Sequence, residues 1–308
     1  MKETIYNIYL IFDKKICSEV RFVTHEHDGN DTAKTNFLKG RVEEDFINAR
    51  SFTLRQSFTF EQMNAKARLG EAHYLYDELF QMLDAGPSPL WISTPVKDGA
   101  VFFNYAQGHN EPTDMQQADL AVGRTGVMED WLKKYWTERG LELSQLIHDD
   151  YFLAIKLTFN AGLYVSAMKL LVSCIDSLSY IEFGDLQGSF VRWLESYADL
   201  TPVGITATEL WELRNGLLHM TNIHSKKVRL NKIRRISFRI GGAEDHPKTD
   251  VDGIYYFDFL TLINVFALAQ AKWIETYNFE REKFSAFVER YDETISDSRL
   301  AMTQVRVD

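Results

Sequence analysis

Apolar residues recur at two different periods along this chain, and the change of period divides it. Near the start, Ile5 to Phe12 and Val20 to Thr24 are short runs rich in β-branched and aromatic residues, which predicts strands. The tract His25-Glu26-His27-Asp28-Gly29-Asn30-Asp31 is polar and turn-forming and predicts a loop. Ser51 to Phe60 alternates apolar and polar, the period of a half-buried strand. From Glu61 to Leu83 the spacing changes to three and four residues (Leu69, Ala72, Leu75, Tyr76, Leu79, Phe80, Leu83), which predicts a helix, and Ala85-Gly86-Pro87-Ser88-Pro89 ends it. Leu90 to Ser93 and Ala100 to Tyr105 then predict a β-hairpin, followed by a polar linker over 107–114.

Beyond residue 113 the helical period dominates. Thr113 to Trp136 predicts one helix. Leu143 to Asn160 and Leu163 to Phe183 are long, apolar and separated only by Ala161-Gly162, so an antiparallel pair is expected. Leu186 to Tyr197 predicts another helix. The next opens at Thr206 with Glu209 three residues on, the pattern of a capping box. Ile233 to Ile240 and Gly253 to Phe259 flank Gly241-Gly242 and Pro247 and predict a hairpin insertion, and Phe259 to Thr294 closes the chain as one long helix or two.

The resulting fold class is α+β overall and predominantly α. An N-terminal α+β domain over 1–112, a helical connector over 113–140 and a helical bundle with a β-hairpin insertion over 141–298 are expected, with 299–308 as a tail. At 308 residues two domains are the default, and 45% hydrophobic with 25% charged residues describes an ordinary packed core. The net charge of −10 argues against a protein that coats nucleic acid by bulk electrostatics, and leaves room for a local basic patch. Two separated cysteines, Cys17 and Cys174, exclude a disulfide scaffold and point to a reducing compartment. The first residues lack the build of a signal peptide, and polar residues interrupt the apolar stretches, so no membrane span and a cytoplasmic protein are expected.

Residues able to carry chemistry are few. An Arg and a His separated by four to six residues suit metal-independent RNA cleavage: His can move a proton to or from a ribose or leaving oxygen near neutral pH, and Arg can neutralise charge developing on phosphate. The loose pattern occurs at Arg21/His27, Arg68/His73, Arg214/His219 and Arg239/His246. Only Arg214/His219 combines a capped helix, an Asn after the Arg and a following basic run. On an ideal helix, Asn215 and His219 share a face while Arg214 sits about 140° from His219, so Arg214 must reach around or meet the His of a second copy. Gly216 inside the motif is costly in a regular helix and marks either an irregularity or a close approach.

Leu213-Arg214-Asn215-Gly216-Leu217-Leu218-His219 resembles the signature of the HEPN superfamily. An apolar helix pair containing Ala167-Met168-Lys169-Leu170-Leu171 and Ile175-Asp176-Ser177-Leu178 precedes it and a long helix follows, so the resemblance spans roughly residues 141 to 298. It implies a bundle of four or five helices that forms a homodimer with a composite site. The implied activity is a metal-independent endoribonuclease of toxin–antitoxin, abortive-infection or antiviral systems, or else an inactive binding module. By position, Arg214 would contact phosphate, His219 would act as acid or base and Asn215 would orient them. No cofactor is implied. The partners would be RNA, a second copy and, in a toxin, an antitoxin or regulatory protein.

Other candidates each have two readings. Asp176 either orients His219 or Arg214 or serves as a structural partner for a buried donor. The basic run Lys226, Lys227, Arg229, Lys232, Arg234, Arg235 and Arg239 is either a seat for an RNA backbone or a charged strand edge. His25-Glu26-His27-Asp28 has zinc-type ligands without a distant third one, and reads more simply as surface loop. Trp91, Phe102, Phe103 and Tyr105 are able to stack on bases, with core packing as the plainer use.

Overall fold

Strand β1, Glu3–Asp13, is buried at every position from Ile5 to Leu10 in the computed structural model of the chain, because both faces of its sheet are covered. The structure describes residues 2–102, 107–108, 112–114, 128–220, 232–241, 253–295 and 299–301. Two compact units emerge: Met1–Asp130 with Ser298–Asp308, and Trp131–Asp297. The division falls inside the stretch expected as a connector.

In the first unit β1 pairs antiparallel with β2 (Ile16–His27), which pairs antiparallel with β3 (Arg50–Thr59). On its other side β1 runs parallel to β4 (Leu90–Lys97). Side-chain alternation then sorts the core. Tyr6, Ile8, Leu10 and Phe12 pack with Met63, Leu75, Leu79 and Phe80 from α3 (Phe60–Arg68), a 3₁₀ turn (Ala72–Leu75) and α4 (Asp77–Met82). Ile5 and Tyr9 face α1 (Asp31–Gly40) and α2 (Val42–Asn48), meeting Leu38 and Val42. The helix expected over 61–83 is therefore three short pieces, interrupted at Gly70 with φ +73°. The hairpin expected from 90–93 and 100–105 forms between Val96–Lys97 and Ala100–Val101, and 103–105 lie outside the described residues. Asp98 and Gly99, at φ +52° and +74°, turn the chain into β5 (Ala100–Val101), an Asp-Gly pair with positive φ at both turn positions.

The tract expected as a loop begins as strand, since His25, Glu26 and His27 finish β2. The zinc-type reading loses its ligands there. His25 Nε2 lies 2.7 Å from Asp45 Oδ2, which also accepts from Asn7 Nδ2 at 2.7 Å, and the His27 ring packs on Phe37. Among the described residues no three His, Cys, Asp or Glu side chains gather as metal ligands. A short strand β6 (Gln107–Gly108) also joins β4.

Of the helix expected over 113–136, residues 115–127 lie outside the described residues. The remainder is largely not helical: β7 (Met128–Asp130) pairs with the chain end, α5 spans only Trp131–Tyr135, and β8 (Trp136–Thr137) turns back onto β9 (Gly140–Leu141).

The second unit is built on helices: α6 (Leu143–Ile147), a π turn (His148–Phe152), α7 (Leu153–Asn160), α8 (Tyr164–Phe183), α9 (Ser189–Tyr197) and α10 (Ala207–Asn215). After α10 come a second π turn (Gly216–Met220), strands β10 (Ile236–Arg239) and β11 (Tyr255–Asp258), α11 (Phe259–Thr276) and α12 (Lys283–Thr294). The element order ends with β12 (Arg299–Ala301), which pairs antiparallel with Met128–Asp130 in the first unit, so the expected tail is in part a strand.

Helix α8 is the centre of the bundle. Ala167, Met168, Leu171, Val172, Ile175, Leu178 and Ile181 recur at helical spacing and are buried against α7, α9, α10 and α12. Among the described residues only this helix is long and apolar enough to cross a membrane, and half of its apolar window is buried inside the unit. The expected hairpin insertion is corrected. Strands β10 and β11 pair parallel, Ile236 opposite Tyr255 through Arg239 opposite Asp258. Parallel pairing requires a crossover of about a dozen residues or more, which the connection 240–254 supplies.

The C-terminal end of α8 carries a buried carboxylate. Glu182 accepts hydrogen bonds from Tyr197 (2.8 Å), Trp273 Nε1 (2.8 Å) and Lys283 Nζ (2.7 Å), joining α8, α9, α11 and α12. Beside it, Arg290 donates to the last carbonyls of α8, those of Ile181 and Glu182, at 2.7 Å each.

Candidate functional site

Helix α10 presents the Arg-Asn motif, and its start is fixed locally. Thr206 accepts from the Glu209 amide at 3.2 Å while Glu209 accepts from the Thr206 amide at 2.7 Å, the reciprocal capping box expected from the spacing. Thr206→Ala removes one of these bonds, and we expect a loss of about 1 kcal/mol in urea unfolding, with Thr206→Ser nearly neutral. Equal stability of Thr206→Ala and wild type would remove the cap from the account.

Glu209 has a second task that the sequence did not disclose. Arg234, expected in the RNA-binding run, donates to Glu209 at 2.8 and 3.1 Å and to the Gly204 carbonyl at 2.7 Å, with its guanidinium 4.1 Å above the Tyr255 ring. Gly204 is required here. It holds φ +73°, and a Cβ would come within 2.3 Å of the Tyr255 hydroxyl. Arg234 thus fastens the start of α10 to the β10–β11 pair. Lys232 is exposed and Arg235 half-buried, with its carbonyl accepting from the Tyr255 amide at 2.9 Å. Lys226, Lys227 and Arg229 lie outside the described residues.

Arg214 occupies the last turn of α10. Its Nε donates to Asp176 Oδ2 at 2.6 Å, a terminal nitrogen lies 2.5 Å from the same oxygen, and another donates to Asn215 Oδ1 at 3.0 Å. The plane of the guanidinium is backed by the Trp211 ring at 4.8 Å, and Trp211 in turn packs on Phe190 of α9. The side chains of Arg214 and Asp176 are 17% and 26% exposed, so this charge-assisted contact is only partly screened by water. Asp176 pairs with Arg214, a contact that both readings of Asp176 admit. Trp211 was missed, although its position three residues before Arg214 puts the two on one helical face.

The chain beyond Asn215 is not regular α-helix. From Gly216 to Met220 it forms a π turn, the irregularity that Gly216 allowed for. A π turn closes its hydrogen bonds between residues five apart. The Arg214–His219 spacing is five, so the widened turn reduces the offset that an ideal helix gives these two backbone positions. The His219 side chain lies outside what is described.

Cys174, one turn from Asp176 at most, is free and buried, and burial pushes its thiol above the ordinary range. It stays protonated and is a poor nucleophile. Arg214, Asn215 and Asp176 therefore form one cluster at the junction of α8 and α10: a cation held by an anion, backed by an indole and followed by a distorted turn. Compared with known proteins, the chain matches no family model, no curated protein and no solved structure.

Proposed function

We propose that residues 141–298 are a HEPN-type endoribonuclease that cleaves RNA without a metal and works as a homodimer, in a bacterial cytoplasmic defence or toxin protein. The observation that carries the reading is the fixing of the Arg214 guanidinium by Asp176 and Asn215 on the helix that leads into the π turn with His219. In the reaction the 2′-hydroxyl of a ribose attacks the adjacent phosphorus and the P–O5′ bond breaks. A 2′,3′-cyclic phosphate and a 5′-hydroxyl result. One histidine position is needed to take the 2′ proton or to deliver a proton to the leaving oxygen, and a fixed cation stabilises the charge that builds on the phosphoryl oxygens. Arg214 suits the second role because its fork is already oriented before RNA arrives. Lys232 and Arg235 stand after the motif as candidates for backbone contacts, whereas Arg234 is tied to Glu209.

A second reading, a non-catalytic module that binds RNA, a nucleotide or a protein, rests on the same guanidinium. Two of its nitrogens are already on Asp176, which is how a purely structural ion pair is made. Incubation of the purified full chain with RNA in EDTA separates the two. Cleavage with 2′,3′-cyclic phosphate ends, lost in Arg214→Ala and His219→Ala proteins that remain folded, supports the nuclease. Intact RNA with wild type across several substrates supports the module, and equal cleavage by wild type and variants removes Arg214 and His219 from the chemistry.

A further inference from the structure

The first unit contains a cleft of about 280 Å³ that the reading above does not use. Its walls are Phe12, Phe60, Phe102 and Pro95, and its rim carries Lys14, Lys15, Lys97 and Glu61. We propose that this cleft binds a nucleoside monophosphate, with the base against the aromatic wall and the phosphate among the lysines.

The location follows from the topology. Strands β1 and β4 are parallel neighbours, with Leu10 beside Pro95 and Phe12 beside Lys97, so Phe12, Pro95 and Lys97 leave one face of the sheet at the carboxyl ends of both strands. That end of a parallel pair is where side chains and loops converge on ligands in open α/β sheets. Two backbone hydrogen bonds fix the walls. The Phe60 amide donates to the Lys15 carbonyl at 3.3 Å, and the Phe102 amide donates to the Pro95 carbonyl at 2.9 Å. The Phe12 and Phe60 rings stand 5.3 Å apart and are mutually tilted, so their faces are not both consumed by one stacked pair. Phe102 is 40% exposed and lines the cleft, whereas Phe12 and Phe58 of the same unit are buried.

Charge selects the ligand. Three lysines against one glutamate leave an excess of two positive charges at the rim, even with Lys15 lying 3.6 Å from Glu61. A phosphate monoester carries about −1.5 to −2 near neutral pH, a closer match than a carboxylate. The volume lies at the lower edge of small-molecule sites, about 300 Å³ and upwards, which suits a mononucleotide better than a dinucleotide.

The backbone supports the same end of the sheet. Among the described residues only Lys14, Asp84 and Asp98 combine a side chain with positive φ, and two of these three sit in the turns that carry the rim lysines. Asp98 is a residue that tolerates this conformation, as the first half of its Asp-Gly turn. Lys14, at φ +57°, is not, and Gly or Asn would be easier there. A strained lysine aimed at a cleft is the pattern found where binding takes precedence over turn stability.

Calorimetric titration of the full chain with AMP, GMP, CMP and UMP tests this, beside adenosine, inorganic phosphate and benzoate. Expected is binding of at least one mononucleotide that exceeds adenosine, phosphate and benzoate, weakening with salt. Phe102→Ala should weaken it by roughly tenfold, the effect of removing one stacking ring. Lys14→Gly should weaken it by roughly threefold while raising the melting temperature, which keeps loss of binding distinct from loss of fold. Absence of binding by all four mononucleotides at millimolar concentration, affinity unchanged in both variants, or benzoate binding more tightly than any mononucleotide would each overturn the proposal. The readout involves no RNA cleavage, so it stands or falls separately from the nuclease assignment.

Discussion

Replacing Glu182 by alanine should cost about 3–5 kcal/mol in urea unfolding followed by tryptophan fluorescence, enough to leave the helical unit marginal. The carboxylate side chain is 8% exposed and takes hydrogen bonds from three donors on three other helices, Tyr197, Trp273 and Lys283. Removing it leaves a lysine that is only 15% exposed with the Thr276 hydroxyl at 2.9 Å and the more distant Glu280 carboxylate at 3.9 Å, and leaves a buried indole N–H without its partner. A buried charge that loses its nearest counter-ion is the dominant part of such a loss, and an unsatisfied buried donor adds about 1–3 kcal/mol. The Tyr197 hydroxyl already has its proton held tightly, because burial and the hydrogen bond to Glu182 both push it above the ordinary tyrosine range. Glu182→Gln should fall between wild type and alanine, since its amide oxygen still accepts while the charge opposite Lys283 is gone. A Glu182→Ala protein within 1 kcal/mol of wild type would show that the four helices are held by their aromatic layer alone.

That aromatic layer was the part of the fold most open to reading from sequence. Ala167, Leu171, Ile175 and Leu178 repeat at helical spacing, and Phe266, Trp273, Phe287 and Tyr291 lie on the inner faces of two later helices with the same periodicity. Trp193 and Trp273 then meet at 6.4 Å, and Trp273 and Phe287 at 6.3 Å. The capping box at Thr206 was equally visible, because its chemistry is local to four residues. Helices α1 and α2 were not. They span only ten and seven residues, their apolar positions are few, and the N-cap that starts the first, Asn30 accepting from the Ala33 amide at 2.9 Å, sits inside a polar tract that looks like loop. Parallel pairing failed for a different reason: β1 with β4 and β10 with β11 join segments far enough apart in sequence that no periodicity encodes the partner.

At the candidate site the sequence carried the residue types and half of the geometry. Asp176 could be singled out as a carboxylate in an apolar helix, and Gly216 as a break in the helical pattern after Asn215, because both depart from a local rule. What no one-dimensional pattern supplies is that the first break serves Arg214 across 38 positions of chain, while the second alters the angle between Arg214 and the position of His219. The two violations meet at Arg214, the first from α8 and the second in the π turn that follows α10. That coincidence, rather than the Arg…His spacing, separates this pair from Arg21/His27, where the arginine bonds Glu19 at 3.0 Å, and from Arg68/His73, where Arg68 is paired with Asp130 at 2.7 Å and is almost wholly buried.

Under the nuclease reading, Arg214→Ala should lower the rate of RNA cleavage by about 10²–10³-fold, the usual cost of deleting one fixed donor to a developing oxyanion. Loss of the proton-transfer group in His219→Ala should cost about 10²–10⁴-fold. Arg214→Lys is the sharper test. An ammonium keeps the charge but cannot reach Asp176 and Asn215 in one plane as the guanidinium does, so its rate should lie close to that of Arg214→Ala. Asp176→Asn retains an acceptor for Arg214 and removes only the charge, and should leave a folded enzyme slowed by roughly tenfold, with kcat carrying the change because the arginine is misplaced rather than missing. If the ion pair is purely structural the order reverses. Asp176→Asn and Arg214→Lys then lower the urea midpoint without altering any cleavage rate, because a partner that merely packs two helices together is felt in unfolding and not in the turnover of RNA.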